Sequence, residues 1–343
     1  MRAIVVSEHG GLDKLELREI DPPEPAPGEV RVRLHAASVN HLDLWVRRGI
    51  AGVRYPLPLV PGCDGAGVVD AWGAGVSDLE RGARVVLQPG VSCGHCAACL
   101  AGNDHHCRLY GILGEHRDGT HAELVTVPRL NVIRLPEALD FETAAAFPLT
   151  FLTAWHMAVE RARIQPGEDV LVHAGASGVG SAAVQIARLL GARVITTAGS
   201  AEKVAPLREL GAEHVILYRE SDLAQETRKL TGKRGVDVIL DHVGLETWEA
   251  NCRSLARGGR LVVCGATSGH EVPTNLRLLF FKNLSFLGST MGSKSELLRI
   301  LPLIERGALR PLVDRVLPLR EIRRAHELLE HRAAVGKIVL RID

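Results

Sequence analysis

The sequence lacks a charge excess: across 343 residues, 41 lysines and arginines face 40 aspartates and glutamates, a net charge of +1. It therefore offers no electrostatic footprint to nucleic acid or to an anionic membrane surface. It also lacks a long apolar run, since nothing approaches the roughly 20 residues that cross a bilayer. The opening MRAIVVSEHGG turns polar too soon to read as a signal peptide or an anchor. Internal repeats and low-complexity tracts are absent. Asn and Gln are scarce and arginine heavily outnumbers lysine, as in heat-adapted hosts or under genomic base bias.

What is present is 46% hydrophobic and 24% charged. At this length that supplies two ordinary cores or one large one. Seven cysteines occur, four of them crowded into CGHCAACLAGNDHHC, from Cys93 to Cys107. In a chain without export signals the expected compartment is a reducing cytoplasm, where clustered thiols favour a metal over disulfides.

Residues 1–145 read as short β segments broken by Gly and Pro: Ala3–Val6, Val30–Ala36, Gly67–Val69, Arg84–Leu87 and Ala122–Val127. Near Phe141 the pattern changes. Helical stretches alternate with the apolar runs Val170–His173, Arg193–Thr197, His214–Leu217, Val236–Leu240, Gly259–Cys264 and Leu284–Leu287. That alternation predicts βαβ units and a parallel sheet covered on both faces. A tail follows with helical periodicity in Glu296–Glu305 and Glu321–Glu330, closing on the strand-like Gly336-Lys337-Ile338-Val339-Leu340.

The run from Asp169 to Gly180 passes from a strand through glycines into a helix over Ser181–Leu190. Gly175 is expected to permit a tight turn, Gly178 to let backbone approach a pyrophosphate, and Gly180 to allow close helix–strand packing. Ser177 and Val179 lie in the same loop, and the helix N-terminus supplies N–H groups and a positive dipole end. An NAD site usually places an acid at the end of the next strand. Here that end reads Thr196-Thr197-Ala198-Gly199-Ser200-Ala201-Glu202-Lys203, with no acid at Ala198. A hydroxyl (Ser200) and a cation (Lys203) suit a 2′-phosphate, so NADP(H) is favoured over NAD(H). The plain alternative for Lys203 is a solvated helix residue.

Several motifs together, Pro61-Gly-Cys-Asp-Gly-Ala-Gly-Val-Val69, the four-cysteine lobe, the Gly175–Gly180 loop, Gly235-Val-Asp-Val-Ile-Leu-Asp241, Gly258-Gly-Arg-Leu-Val-Val263 and Gly336–Leu340, carry a resemblance over nearly the whole length. The chain resembles the medium-chain dehydrogenase/reductases of the zinc-containing alcohol dehydrogenase superfamily. The resemblance implies an α/β architecture with three parts. A GroES-like β-rich catalytic domain spans 1–149 with a zinc lobe over about 90–110, a Rossmann coenzyme domain spans 150–288, and a segment over 289–343 returns to the catalytic domain.

The spacing of Cys93, Cys96, Cys99 and Cys107 matches the lobe zinc of that family. Four thiolates fill a tetrahedral shell, leaving no position for water or substrate, so such a zinc is structural. Free thiols or regulatory disulfides are the alternative, and His95, His105 and His106 are then loop residues. Family members with a catalytic zinc hold it by a Cys, a His and a Cys from three segments. The matching positions here are Asn40, Cys63 (followed by Asp64) and Leu149. Leucine cannot ligate and a carboxamide ligates poorly. The hydroxyl that relays the alcohol proton would fall at Leu42 and is also missing. A rescue metal site from Cys63, Asp64, His41 and His156 is the competing expectation.

Without a Lewis acid, alcohol oxidation lacks its alkoxide stabiliser. Hydride transfer to a conjugated carbonyl or quinone needs one less, because the acceptor delocalises charge. The resemblance is closest to a quinone-oxidoreductase-like branch keeping the structural zinc alone. It implies that Asn40 hydrogen-bonds the acceptor oxygen and that Cys63 and Leu149 line the emptied metal pocket. Trp45 stands where a pocket tyrosine is common, and its indole donates a hydrogen bond but no useful proton. His41 is implied near the coenzyme pyrophosphate, with a surface histidine beside Asp43 as the alternative. Thr153, Val243, Gly265 and Ser289 are implied to border the nicotinamide. Asp241 reads as a turn cap and Cys252 and Cys264 as core residues, while Trp45, Tyr55, Tyr110, Phe147 and Phe280 are candidates to shape an apolar cleft. Two rival functions remain: an alcohol dehydrogenase with an atypical zinc site, and a non-catalytic NADPH-binding protein. The expected partner is a small carbonyl, quinone or alcohol, not nucleic acid or membrane. A homodimer or homotetramer is expected, joined at the edge strand near Asn283–Leu287.

Overall fold

The computed structural model describes all 343 residues, which divide into two compact units. The first comprises Met1–Leu149, Ser293–Glu305 and Pro311–Asp343; the second comprises Thr150–Gly292 with Arg306–Arg310. Arg306–Arg310 joins the second unit where Gln185 reads its backbone in both directions, donating to the Arg310 carbonyl (2.9 Å) and accepting from its N–H (2.8 Å). No helix is long and apolar enough to cross a membrane.

In the first unit a seven-stranded sheet is built around the long strand Glu29–Val39. Its residues alternate between buried and exposed positions until Ala36, after which every side chain is buried. That change marks where the strand leaves a half-solvated sheet and enters the core. Asp64–Trp72 pairs antiparallel on one side, with Ser38 opposite Asp64. On the other side lies the closing strand Lys337–Arg341, with Val39 opposite Ile338. Val313–Pro318, which the apolar pattern did not reveal, extends the sheet parallel to the closing strand. The core gathers Ile4, Val32, Leu34, Val85, Leu87, Val125, Ile338 and Leu340, all at most 2% exposed. Cys63 lies in that core, fully buried.

The second unit carries a six-stranded sheet whose pairings are all parallel. Its order is His214–Leu217, Arg193–Ala198, Asp169–Val172, Val236–Asp241, Leu255–Val263, Ser285–Gly288. The central strand Asp169–Val172 is buried at every position, as a strand covered on both faces must be. Counted along the chain, this order is 3-2-1-4-5-6. The chain therefore changes direction of growth beside Asp169–Val172, and a ligand site is expected outside the carboxyl ends of the strands there.

Candidate active site

The two units each carry part of the predicted site. In the second, the loop after Asp169–Val172 leads into the helix Gly178–Leu189. Ser177 caps the helix: its Oγ accepts the Gly180 N–H at 3.0 Å, and its hydroxyl lies 3.2 Å from His242 Nε2. Burial holds the His242 imidazole down to about 4, so it is neutral beside Ser177. Gly180 behaves as expected, since a Cβ there would sit 2.1 Å from the Ala174 carbonyl oxygen. Gly175 does not serve as a positive-φ turn. The left-handed residue is Ala174 (φ 46°), and Gly175 is required because a Cβ would meet Thr196 Oγ1 at 2.2 Å.

Val243, Gly265 and Ser289 each follow a strand end (Asp241, Val263, Gly288) by one or two residues, so all three stand at the carboxyl edge of the sheet with Ser177. Thr153 is buried on the helix Pro148–Trp155. Ser289 Oγ is buried without a hydrogen-bond partner. Leaving such a group unmade costs about 1–3 kcal/mol, which fits a ligand that supplies the partner. These residues fit a nicotinamide dinucleotide, with the helix N-terminus for its phosphates and the strand ends for its nicotinamide half. Asp241 caps its turn through Val243 N–H (2.7 Å) and also accepts from Thr247 and Asn251 (both 2.7 Å). Cys252 is buried, and burial pushes the Cys264 thiol up to about 12.

At the end of Arg193–Ala198 the structure modifies the coenzyme reading. Ser200 Oγ donates to the Glu202 carboxylate at 2.5 Å, so an acid does stand beside this strand end. Lys203 and Arg219 also act on Glu202, whose pKa the Ser200 hydrogen bond and both cations lower. Tyr218, which the sequence reading passed over, belongs here too: its hydroxyl would lie 2.9 Å from a Cβ on Gly199.

In the first unit, Cys93, Cys96, Cys99 and Cys107 place their sulfurs within 4.8 Å of one another. Backbone N–H groups already point at two of them, Cys96 N at Cys93 Sγ and Leu109 N at Cys107 Sγ (both 3.3 Å). Four converging sulfurs with N–H support fit a zinc ion and leave it no open position. The lobe is anchored by Lys294, whose backbone N–H binds Asp104 Oδ1 (2.9 Å) and whose ammonium reaches Ser92 Oγ (2.9 Å).

The positions matching the catalytic-zinc ligands converge on a different object. Asn40 ends the long strand and caps the helix His41–Arg48, with its N–H on Asp43 Oδ2 at 2.7 Å. Its side-chain amide donates to Asp64 Oδ2 (2.8 Å) and to Cys63 Sγ (3.3 Å). Asp64, fully buried, also accepts from Ser38 Oγ (3.1 Å) and, on Oδ1, from the Leu149 backbone N–H (2.8 Å). The cation is Lys337, 4% exposed, whose ammonium reaches Asn40 Oδ1 (2.5 Å), the Val39 carbonyl (3.1 Å) and Asp64 Oδ2 (3.3 Å). The sequence placed Lys337 in a closing strand and gave it no role; its pairing with Asp64 across 273 residues has no local signature.

Burial raises the Cys63 thiol well above its ordinary value, so Cys63 is a neutral thiol. Asp43, buried and accepting the Asn40 and Gly62 N–H groups, is pushed up to about 7 by burial. His121, 4.0 Å from Asp43, is driven down to about 4 by burial. His41 is exposed at the first turn of its helix, and Trp45 is half-buried on the same helix. Of the cleft candidates, Phe147 is wholly buried core and Phe280 is 60% exposed on the second unit. The hydroxyls of Tyr55 and Tyr110 are buried without partners, and burial holds the neighbouring Glu115 carboxyl above its ordinary range.

Comparison with known proteins agrees with both halves. The alcohol dehydrogenase GroES-like domain family matches residues 26–137, and the zinc-binding dehydrogenase family matches 178–306. Human quinone oxidoreductase is 32% identical, the alignment covering 99% of this chain and 97% of that protein. The chain belongs to the medium-chain dehydrogenase/reductase superfamily. Among solved members, an NAD-dependent alcohol dehydrogenase is 50% identical, with a TM-score of 0.96 and full coverage of both chains. A cobalt- and zinc-bound thermostable alcohol dehydrogenase from Pyrobaculum aerophilum is 37% identical, with a TM-score of 0.90 and 99% coverage of each. As a medium-chain dehydrogenase/reductase the chain is an NAD(P)-dependent oxidoreductase, with a four-cysteine lobe whose sulfurs could hold a metal ion.

Proposed function

We propose that this enzyme transfers hydride from NADP(H) to a conjugated carbonyl or quinone, with no metal at the pocket formed by Asn40, Cys63, Asp64 and Leu149. The observation that carries the reading is the Asn40–Asp64–Lys337 network. Asp64 accepts from Ser38, Asn40, the Leu149 N–H and the buried Lys337 ammonium, so its charge is already balanced without a metal, and a neutral thiol and a leucine add no charge to hold one. A conjugated acceptor tolerates that loss, since the arriving negative charge spreads over its π-system. The coenzyme supplies the hydride when bound at the Gly178 helix terminus. Asn40 receives the acceptor oxygen, Cys63 and Leu149 give the pocket an apolar wall, and Trp45 donates a supplementary hydrogen bond. His41 supports the pyrophosphate. The zinc held by Cys93, Cys96, Cys99 and Cys107 is structural.

NADP(H) rather than NAD(H) is supported by Lys203 and Arg219, which both act on Glu202, and by the hydroxyls of Ser200 and Tyr218. Homo-oligomerisation through the strand Ser285–Gly288 is supported by its edge position and by Leu276, Phe280 and Phe281 beside it, each at least 60% exposed. The test is a panel of enones, quinones and aldehydes with NADPH, run beside primary and secondary alcohols with NADP⁺ and NAD⁺. Turnover confined to the conjugated acceptors is the expected result.

One observation favours a second reading, alcohol–aldehyde interconversion: the 50% identity to an NAD-dependent alcohol dehydrogenase. In the same panel it appears as alcohol oxidation with NAD⁺ exceeding every quinone rate.

A further inference from the structure

We propose that Lys337 is a positioning residue that fixes and polarises the Asn40 amide, turning it into a one-way hydrogen-bond donor toward the acceptor oxygen. The inference rests on the reading of Asn40 given above and adds the residue through which Asn40 works.

The chemistry of the neighbours fixes the amide's orientation. An ammonium only donates and an ionised carboxylate only accepts. The atom facing Lys337 Nζ at 2.5 Å is therefore the amide oxygen, and the atom facing Asp64 Oδ2 at 2.8 Å is the amide nitrogen. Of its two N–H bonds, one is held by a carboxylate and the other rests on Cys63 Sγ at 3.3 Å. A neutral thiol is a weak acceptor, so this second N–H is the one a carbonyl oxygen can claim. The ammonium has three protons and three acceptors, Val39 O, Asn40 Oδ1 and Asp64 Oδ2, leaving none for substrate. Its positive charge reaches the substrate through the amide. Drawing electron density to Oδ1 makes Nδ2–H a stronger donor, the cooperative polarisation expected of a hydrogen-bond chain in a low-dielectric site. Removing Lys337 frees the amide to turn and leaves Asp64 uncompensated.

The experiment compares wild type, Lys337→Met and the charge-balanced double variant Asp64→Asn/Lys337→Met, which keeps the site neutral should the single variant fold poorly. The first readout is the side-chain amide resonance pair of Asn40, assigned by its disappearance in Asn40→Ala. The expectation is a shifted, rapidly exchanging pair in both Lys337 variants. The second readout is kcat with an enone and with a high-potential quinone. The enone, which needs help at its oxygen, is expected to slow roughly tenfold or more, and the quinone to stay within about threefold. An unchanged Asn40 pair, or equal losses on both acceptors, overturns the proposal. A wild-type enzyme that reduces neither acceptor sinks the functional reading and the polarising role, while the resonance readout still decides the orienting one.

Discussion

The Leu149 backbone N–H donates to Asp64 Oδ1 at 2.8 Å. At the position matching the third zinc ligand, the chain thus contributes a hydrogen bond from its backbone where its side chain can ligate nothing. Asp64 gathers the strand end at Ser38 and Asn40, the start of the helix Pro148–Trp155 at Leu149 and the closing strand at Lys337. Its charge is balanced by the buried Lys337 ammonium.

Asp64→Ala is therefore expected to lower the unfolding free energy by about 3–5 kcal/mol, because it strands a buried ammonium. Urea unfolding measures this directly. The double variant Asp64→Asn/Lys337→Met is expected to recover more than half of the loss.

Coenzyme binding is tested at the loop. Gly180→Ala puts a methyl 2.1 Å from a backbone carbonyl that cannot retreat, so NADPH affinity is expected to fall by two orders of magnitude or so. Gly175→Ala meets a threonine hydroxyl instead, and pairing it with Thr196→Ala is expected to restore part of the affinity. Fluorescence titration reports both.

Coenzyme choice follows charge. Lys203→Ala is expected to weaken NADPH by about fivefold and leave NADH within about twofold, since one nearby cation contributes on the order of 1 kcal/mol at the surface. Glu202→Gln is expected to tighten NADPH by removing the acid from Ser200. Tighter NADH than NADPH binding in the wild type contradicts the preference.

Stability should respond to pH with a definite sign. His121 and His242 are held near 4 by burial, and His35 and His326 are also lowered. Unfolded, each imidazole takes up a proton near pH 6.5, so the unfolded chain gains protons as pH falls from 6.5 toward 4. Asp43, raised to about 7, and Glu115, also raised, work in the opposite direction, because the folded chain binds their protons first. Four imidazoles against two carboxyls set the net sign, and the thermal midpoint is expected to drop from pH 7 to pH 5. The slope should be shallower in His121→Gln.

The sequence carried the architecture well where chemistry is local. Glycines at Gly175 and Gly180, apolar runs such as Val236–Leu240 and four closely spaced cysteines each leave a signature within a few residues. The structure brings Ser177, Val243, Gly265 and Ser289 to one sheet edge, and the four sulfurs to one point. It missed what depends on distant pairing. Lys337 meets Asn40 only because the closing strand lies antiparallel against Glu29–Val39. The strand Val313–Pro318 is short and only half-buried, so it lacks the apolar run that marks a core strand. The role of Glu202 is not legible in the sequence, because nothing in the order Ala198-Gly199-Ser200 says that Ser200 turns to bind it.

The most direct measurement is elemental analysis of a preparation actively reducing a quinone or enone. One zinc per chain, lost together with the lobe in Cys107→Ser, is the predicted result. Two metal ions per chain, with turnover rising and falling with the second, would contradict it.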